Sequence, residues 1–209
     1  MHESRLVTIL VEDVSRSIGR HREEESASSK RNLIRTIFAA IEGIVWIYRE
    51  FVQNSLSDLE ILTEQERAAL AERIWSVSET GKISGSPRFI SLAASIRLAT
   101  RMAQRANNQV DVDFGNPAWM SFKLAIRTRH RITHPKTLPD IEVSDQDVEQ
   151  CLIGFYWLMD TVTTVMDQTV MALRDHSLGM REILEQLQAG DPGTWAEYQA
   201  ALQSRQGGD

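Results

Sequence analysis

The chain has 209 residues, 42% hydrophobic and 25% charged, with a formal net charge of -6. These are ordinary globular values, and the length suits one domain with a sizeable core. Cys151 is the only cysteine, which excludes disulfides within the chain and thiolate metal clusters and makes the cytoplasm the expected compartment.

Residues 4–20 read as an amphipathic helix carrying Leu6, Ile9, Leu10, Val14 and Ile18 on one side. Glu3, Arg5, Glu12 and Asp13 interrupt its apolar run, so no secretory signal is expected. The polar stretch from His21 to Arg31 reads as a loop for most of its length. A long helix follows at about 28–55, with Leu33, Ile37, Ala40, Ile41, Ile44, Trp46, Tyr48 and Val52 making it the most buried in prospect. Its most apolar segment, Thr36 to Tyr48, is short and holds Glu42, so no membrane span is expected.

Thr63 with Glu66 forms a capping box that opens a helix over 63–78. Gly81 to Pro87 reads as a turn before a helix at about 87–106, and Ala106 to Pro117 as a loop. Asn116 as N-cap and Pro117 at the first position open the next helix. Pro135 restricts His134 to extended angles, so that helix ends near Thr133. Lys136 to Val143 is a proline-punctuated connection. Ser144 with Asp147 caps a long helix at about 145–175, followed by a shorter one from Leu178 to Leu187. Asp191-Pro192 starts a terminal helix with Trp195, Tyr198 and Leu202 in line, and the tail from Gln203 to Asp209 is expected to fray. No strand-like alternation and no internal repeat is evident. The fold class is all-α, a bundle of long antiparallel helices in a single domain over 1–209.

Charge is unevenly spread. Residues 80–139 hold ten Lys or Arg against Asp111 and Asp113, a balance of +8; residues 1–79 sum to -4 and residues 140–209 to -10. Arg97, Arg101 and Arg105 repeat every fourth residue, as do Lys123, Arg127 and Arg131. Two such rows side by side would guide a phosphate backbone to one face. The plainer alternative is that they solubilise helices or pair with the acidic C-terminal third.

The stretch from Arg127 to Lys136, RTRHRITHPK, concentrates four cations and two histidines. Phe122, Ile126, Arg129 and Thr133 share one face of its helix, which sets Arg129 on the stripe expected to turn inward. An arginine there needs a partner or a site, because an unpaired buried charge is costly. No metal-ligand spacing appears, and no Gly-rich phosphate loop, so neither a metal nor a cofactor is expected. Cys151, beside Leu152 and Phe155, reads as a core thiol.

Arg129 and His134 form an R-x4-H pair followed by proline and a long helix, which resembles the signature of HEPN domains (higher eukaryotes and prokaryotes nucleotide-binding). Arg127 stands at an x6 spacing from the same histidine, and Arg16 with His21 repeats the x4 spacing in a charged segment read as solvated surface. The resemblance covers about residues 28–176, leaving 177–209 as a C-terminal helical extension. It implies an all-helical homodimer acting as a metal-independent endoribonuclease, with Arg129, His134 and His130 at a shared cleft and Glu42 supporting the arginine. Lys123, Arg127, Arg131, Lys136, Arg97, Arg101 and Arg105 would bind the RNA. Toxin or antiviral-defence roles, with an antitoxin or defence-system partner, come with the family. Lys136 stands where one toxin subgroup carries a modified tyrosine, which puts that regulation in doubt. Two other readings stand beside it: a non-catalytic nucleotide- or RNA-binding or dimerisation module, and a plain scaffold in which Arg129 pairs with an acid such as Glu42.

Overall fold

The computed structural model describes residues 2–57, 59 and 61–206. Among the described residues it is an all-α protein of seven α-helices with one small hairpin. The chain divides into two compact units, Met1–Gln168 and Thr169–Asp209. No helix among the described residues is long and apolar enough to cross a membrane.

In the first unit, α1 (His2–Glu24) and α2 (Ala27–Ser57) pack together. The expected loop over 21–31 shrinks to Glu25 and Ser26. A positive φ at Glu25 turns the chain, and Ser26 and Ser29 exchange hydrogen bonds that cap α2 at once. Leu10 of α1 lies against Gly43, where an added Cβ would come within 2.7 Å of its Cδ1. Leu33, Ile34, Ile37, Ile41, Tyr48, Val52 and Leu56 are fully buried along α2. Trp46 is a correction: it is 46% exposed, because it falls in register with Arg35, Ala39 and Glu42, the solvent stripe of α2.

The helix expected over 63–78 stops early. The Thr63–Glu66 capping box is present, but α3 covers only Glu64–Leu70, and Glu72 takes a positive φ of 50°. The next residues form β1 (Arg73–Val77), paired antiparallel with β2 (Ile83–Pro87). Gly81, at φ 77°, supplies the left-handed residue of the connecting turn, while Ser78 donates its N–H to Lys82. Ile74 next to Trp75 breaks the apolar–polar alternation that would have signalled a strand. The pairing puts Trp75, Val77 and Ile83 on one face, with the Trp75 ring over Gly85.

The helix expected from 87 begins at Leu92, capped by Ser91, and α4 (Leu92–Ala106) packs on α2 through a buried Tyr48–Thr100 hydrogen bond of 3.0 Å. The next helix, α5 (Pro117–Thr133), has the bounds and the Asn116 cap that the sequence predicts. A short 3-10 helix (Leu138–Ile141) interrupts the connection, and the Ser144–Asp147 reciprocal cap opens α6 (Asp145–Gln188). The two helices expected over 145–187 are one, since neither Ser177 nor Gly179 breaks the ladder; Ser177 donates back to the Leu173 carbonyl. Cys151 is fully buried among apolar neighbours, and that burial pushes its thiol up to about 12.

Gly154 sets how closely α6 approaches α5. A Cβ there would lie 2.7 Å from the Cα of Phe122, a backbone atom that cannot yield cheaply. Phe114, Trp119, Phe122 and Trp157 cluster beside this contact, with ring centroids 5.0–6.0 Å apart.

The second unit is a helical hairpin of the end of α6 and α7 (Pro192–Gln206). Gly190 turns the chain at φ 76°, and Trp195 donates its indole N–H to the Leu187 carbonyl at 3.0 Å. The backbone from Gln203 to Gln206 is helical, whereas fraying was expected; residues 207–209 of that tail lie outside the described residues.

Candidate functional site

Helix α5 carries most of the candidate residues, and α2 fixes its C-terminal end. Arg35 donates to the Ile132 carbonyl at 3.1 Å, satisfying one of the open acceptors in the last turn. Arg31 donates to the Ile141 carbonyl at 3.2 Å. Neither arginine stands out in sequence, because nothing in a helical repeat says which carbonyl a long side chain reaches.

Arg129 donates from Nη2 to Glu42 Oε1 at 2.5 Å. Their side chains are 31% and 49% exposed, so the pair sits at a rim rather than in the core. The inward register needs correction. The buried residues of α5 are Trp119, Phe122, Ala125, Thr128 and Ile132, while Thr133 is exposed and turned back to donate to the Arg129 carbonyl. Arg129 is therefore at the edge of the packed stripe. Nη2 is engaged, and the opposite edge of the guanidinium has no partner among the described residues.

His134 is the C-cap of α5, exposed, with its backbone N–H donating to the His130 carbonyl at 3.1 Å. The two imidazoles meet edge to face at a centroid distance of 5.3 Å. At about 100° per residue, His134 lies about 140° around the helix from Arg129 and about 7.5 Å along it. No contact among the described residues joins the two. His134 instead completes a row with Lys123, Arg127 and His130, at i, i+4, i+7 and i+11.

Arg131 does not belong to a solvated row. It donates to the carbonyls of Pro139, Asp140 and Glu142, and its Nη2 lies 3.6 Å from Asp147 Oδ2. It thus straps down the segment that follows His134. Asp140 ties the same segment, accepting from the N–H groups of Lys136 and Thr137 and the Thr137 hydroxyl at 2.8–2.9 Å. Those bonds, the Lys136 N–H first, and the nearby Arg131 charge hold its carboxyl below the usual range. Asp147 is raised by burial, but hydrogen bonds from Ser144 and Thr128 and the Arg131 charge outweigh this and lower it. The Lys136 side chain is exposed at the surface of this strap.

The arginines of α4 are also largely occupied. Arg105 bonds Glu66 and donates to the Ile61 carbonyl at 2.8 Å. Arg97 stands over the Phe114 and Trp119 rings, 5.0 and 5.4 Å from their centroids. Arg101 alone of the three is exposed with no partner among the described residues. The expected second row does not act as a unit. At the other R-x4-H match, Arg16 pairs with Glu12 and His21 shares a 2.9 Å hydrogen bond with Ser29.

Beside the Arg129–Glu42 pair opens a cleft of about 330 Å³, lined in part by Trp46, Arg49, Glu72, Phe89 and Ser95. Apart from Arg129 and Glu42, its members were missed in the sequence, although Glu42, Trp46 and Arg49 at i, i+4 and i+7 could have shown a polar face with an aromatic in it. Among the described residues, no three His, Cys, Asp or Glu side chains converge to hold a metal ion. No family model, curated protein or solved structure matches the chain.

Proposed function

We propose that the chain is a HEPN-like endoribonuclease that cleaves RNA through His134, His130 and Arg129. The observation that carries this is the pair of exposed imidazoles at the end of α5, in one row with Lys123 and Arg127, on a helix that also carries the buttressed Arg129 at its rim. Cleavage at a 2′-hydroxyl needs a base for its proton, an acid for the leaving 5′-oxygen, and positive charge on the phosphorane. Two imidazoles supply the first two, and the free guanidinium edge of Arg129 supplies the third. Glu42 orients Arg129, and Arg131 with Asp140 keeps the histidine end from shifting.

A symmetric pair of chains sharing the cleft is part of the proposal. The angular offset between Arg129 and His134 on one helix is relieved if a second copy presents its own pair across a two-fold axis. The decisive test is incubation of purified protein with RNA in chelator, with wild type against His134→Ala; cleavage by the wild type alone supports the reading. Equal cleavage by both sinks it. Sedimentation of the same samples reports whether the active species is a dimer, and mixing Arg129→Ala with His134→Ala chains reports whether the roles divide between copies. Association with an antitoxin or defence-system partner belongs to the same proposal.

One observation favours the non-catalytic reading, in which this face binds RNA or a nucleotide, or holds the fold, without cutting. Glu42 already engages Arg129, as a structural pair would. Under that reading Glu42→Gln lowers stability and changes no reaction.

A further inference from the structure

The cleft beside Arg129 has an unusual mixture of groups for a surface of this size. Its charges come as two neutral pairs, Arg129 with Glu42 at 2.5 Å and Arg49 with Glu72 at 2.7 Å. Arg49 is only 7% exposed, and its Nε is buried with no hydrogen-bond partner. Two aromatic rings on the lining remain open to solvent, Trp46 at 46% and Phe89 at 92%. The volume, about 330 Å³, lies at the small end of ligand sites, roughly 300–1,000 Å³.

A bare phosphate fits poorly, because it meets two carboxylates along with the two guanidinium groups. An aliphatic ligand fits poorly too, because four charged side chains line the walls. A planar heteroaromatic ring satisfies both requirements. Its face covers an aromatic side chain, and its edge offers donors to a carboxylate and acceptors to a guanidinium. On an RNA strand that group is an unpaired base.

We propose that this cleft takes one unstacked nucleobase of the RNA whose phosphate meets Arg129. Trp46 is the stacking platform, Phe89 closes over the base from the segment preceding α4, and the Glu42–Arg129 pair reads its edge. Arg129 then links the two functions, holding a base edge through the Glu42 pair and a phosphate through its free edge. A base inside a duplex has neither its face nor its Watson–Crick edge available, so the cleft restricts the protein to single-stranded or looped RNA. This inference rests on the RNA-cleaving reading and deepens it.

The test uses the full chain and a 2′-O-methyl oligonucleotide, which lacks the attacking hydroxyl and cannot be cut. Affinity is measured for the single strand, for the same strand in a duplex, and for an abasic strand of equal length. The single strand should bind tightest. Trp46→Ala should weaken it about 5- to 150-fold, from a base–aromatic stack of about 1–3 kcal/mol, and should leave the abasic strand unchanged. Trp46→Phe should restore most of the loss. Phe89→Ala removes an almost fully exposed ring, so a loss there is not a folding defect. If the single strand and the abasic strand bind equally, or Trp46→Ala and Phe89→Ala bind the single strand like wild type, the base pocket is wrong while the RNA reading survives. If no strand binds at low salt, both fall together.

Discussion

Helices α4 and α5 present the same signal in sequence, cations at four-residue spacing, and the fold uses them oppositely. On α4, Arg105 is taken by Glu66 and the Ile61 carbonyl, and Arg97 by the Phe114 and Trp119 rings. On α5, Arg131 is withdrawn to strap the following segment, while Lys123, Arg127, His130 and His134 stay in line without protein acceptors among the described residues. Spacing therefore fixes which residues share a face, and the neighbouring element decides whether that face is spent on the fold or left for a ligand. A cation row becomes a candidate surface only where no acid or carbonyl lies within reach of it.

The largest expected difference between the two helices is in chemistry. His134→Ala should lower RNA cleavage by about 10²- to 10⁴-fold, the range for a lost proton-transfer group, and Arg129→Ala by about 10²- to 10³-fold, the range for lost stabilisation of developing charge, whereas Arg101→Ala should leave the rate within a few-fold. Rate measurements under single-turnover conditions check this, with thermal melts to show that the variants are folded. Equal losses on α4 would erase the contrast.

A second way to break it is to move α5 bodily. Gly154→Ala places a Cβ against the Phe122 backbone, and overpacking of this kind costs about 1–3 kcal/mol. Urea denaturation should show that loss, and cleavage should fall with it although no α5 residue has changed. The same substitution at Gly179, where a Cβ meets nothing within 4 Å, should be neutral or slightly stabilising.

Salt dependence sharpens the comparison next. Lys123→Gln with Arg127→Gln should reduce the slope of log affinity against log salt by about one to two, one released counterion per lost phosphate contact. Arg97→Gln with Arg105→Gln should leave the slope nearly unchanged, and Arg105→Gln should instead cost up to about 1 kcal/mol of stability as a partly exposed pair is lost.

The smallest effect is on pH. Asp140 and Asp147 have folded-state values held below the unfolded value of about 3.9. Their contribution is therefore complete above that value and is lost as pH falls through the lowered one. Amide exchange at Lys136 and Thr137, corrected for the intrinsic rate, should rise below about pH 4. Asp140→Asn should remove the step, and a step that persists in that variant would assign it elsewhere.

Helix α5 was legible in sequence because its signals are local: Asn116 and Pro117 start it and Pro135 stops it, and the structure gives Pro117–Thr133. The hairpin was not, because Ile74-Trp75 carries no alternation and its strands are fixed by each other across the Gly81 turn. Likewise the merging of α6 turned on the absence of a stop at Gly179, which sequence alone overweights. At the candidate site, the pairing of Arg129 with Glu42 was expected from the resemblance to HEPN domains and from the scaffold reading, and the pair is present at the rim. Arg131 was misread, since only the folded strap brings three carbonyls to one guanidinium. Trp46 was placed in the core because it sits among apolar residues in sequence; its neighbours on the helix surface are Glu42 and Arg35, which put it outside.

The solitary thiol of Cys151 is sealed on α6 a few residues from Gly154. Disulfide reagents cannot reach it until that part of the bundle opens, and its high pKa leaves almost no thiolate to react while it stays closed. The speed at which the native protein takes up such a reagent is thus a stopwatch for opening of the core around this part of α6. It runs without added labels, and a ligand that tightens the bundle would slow it.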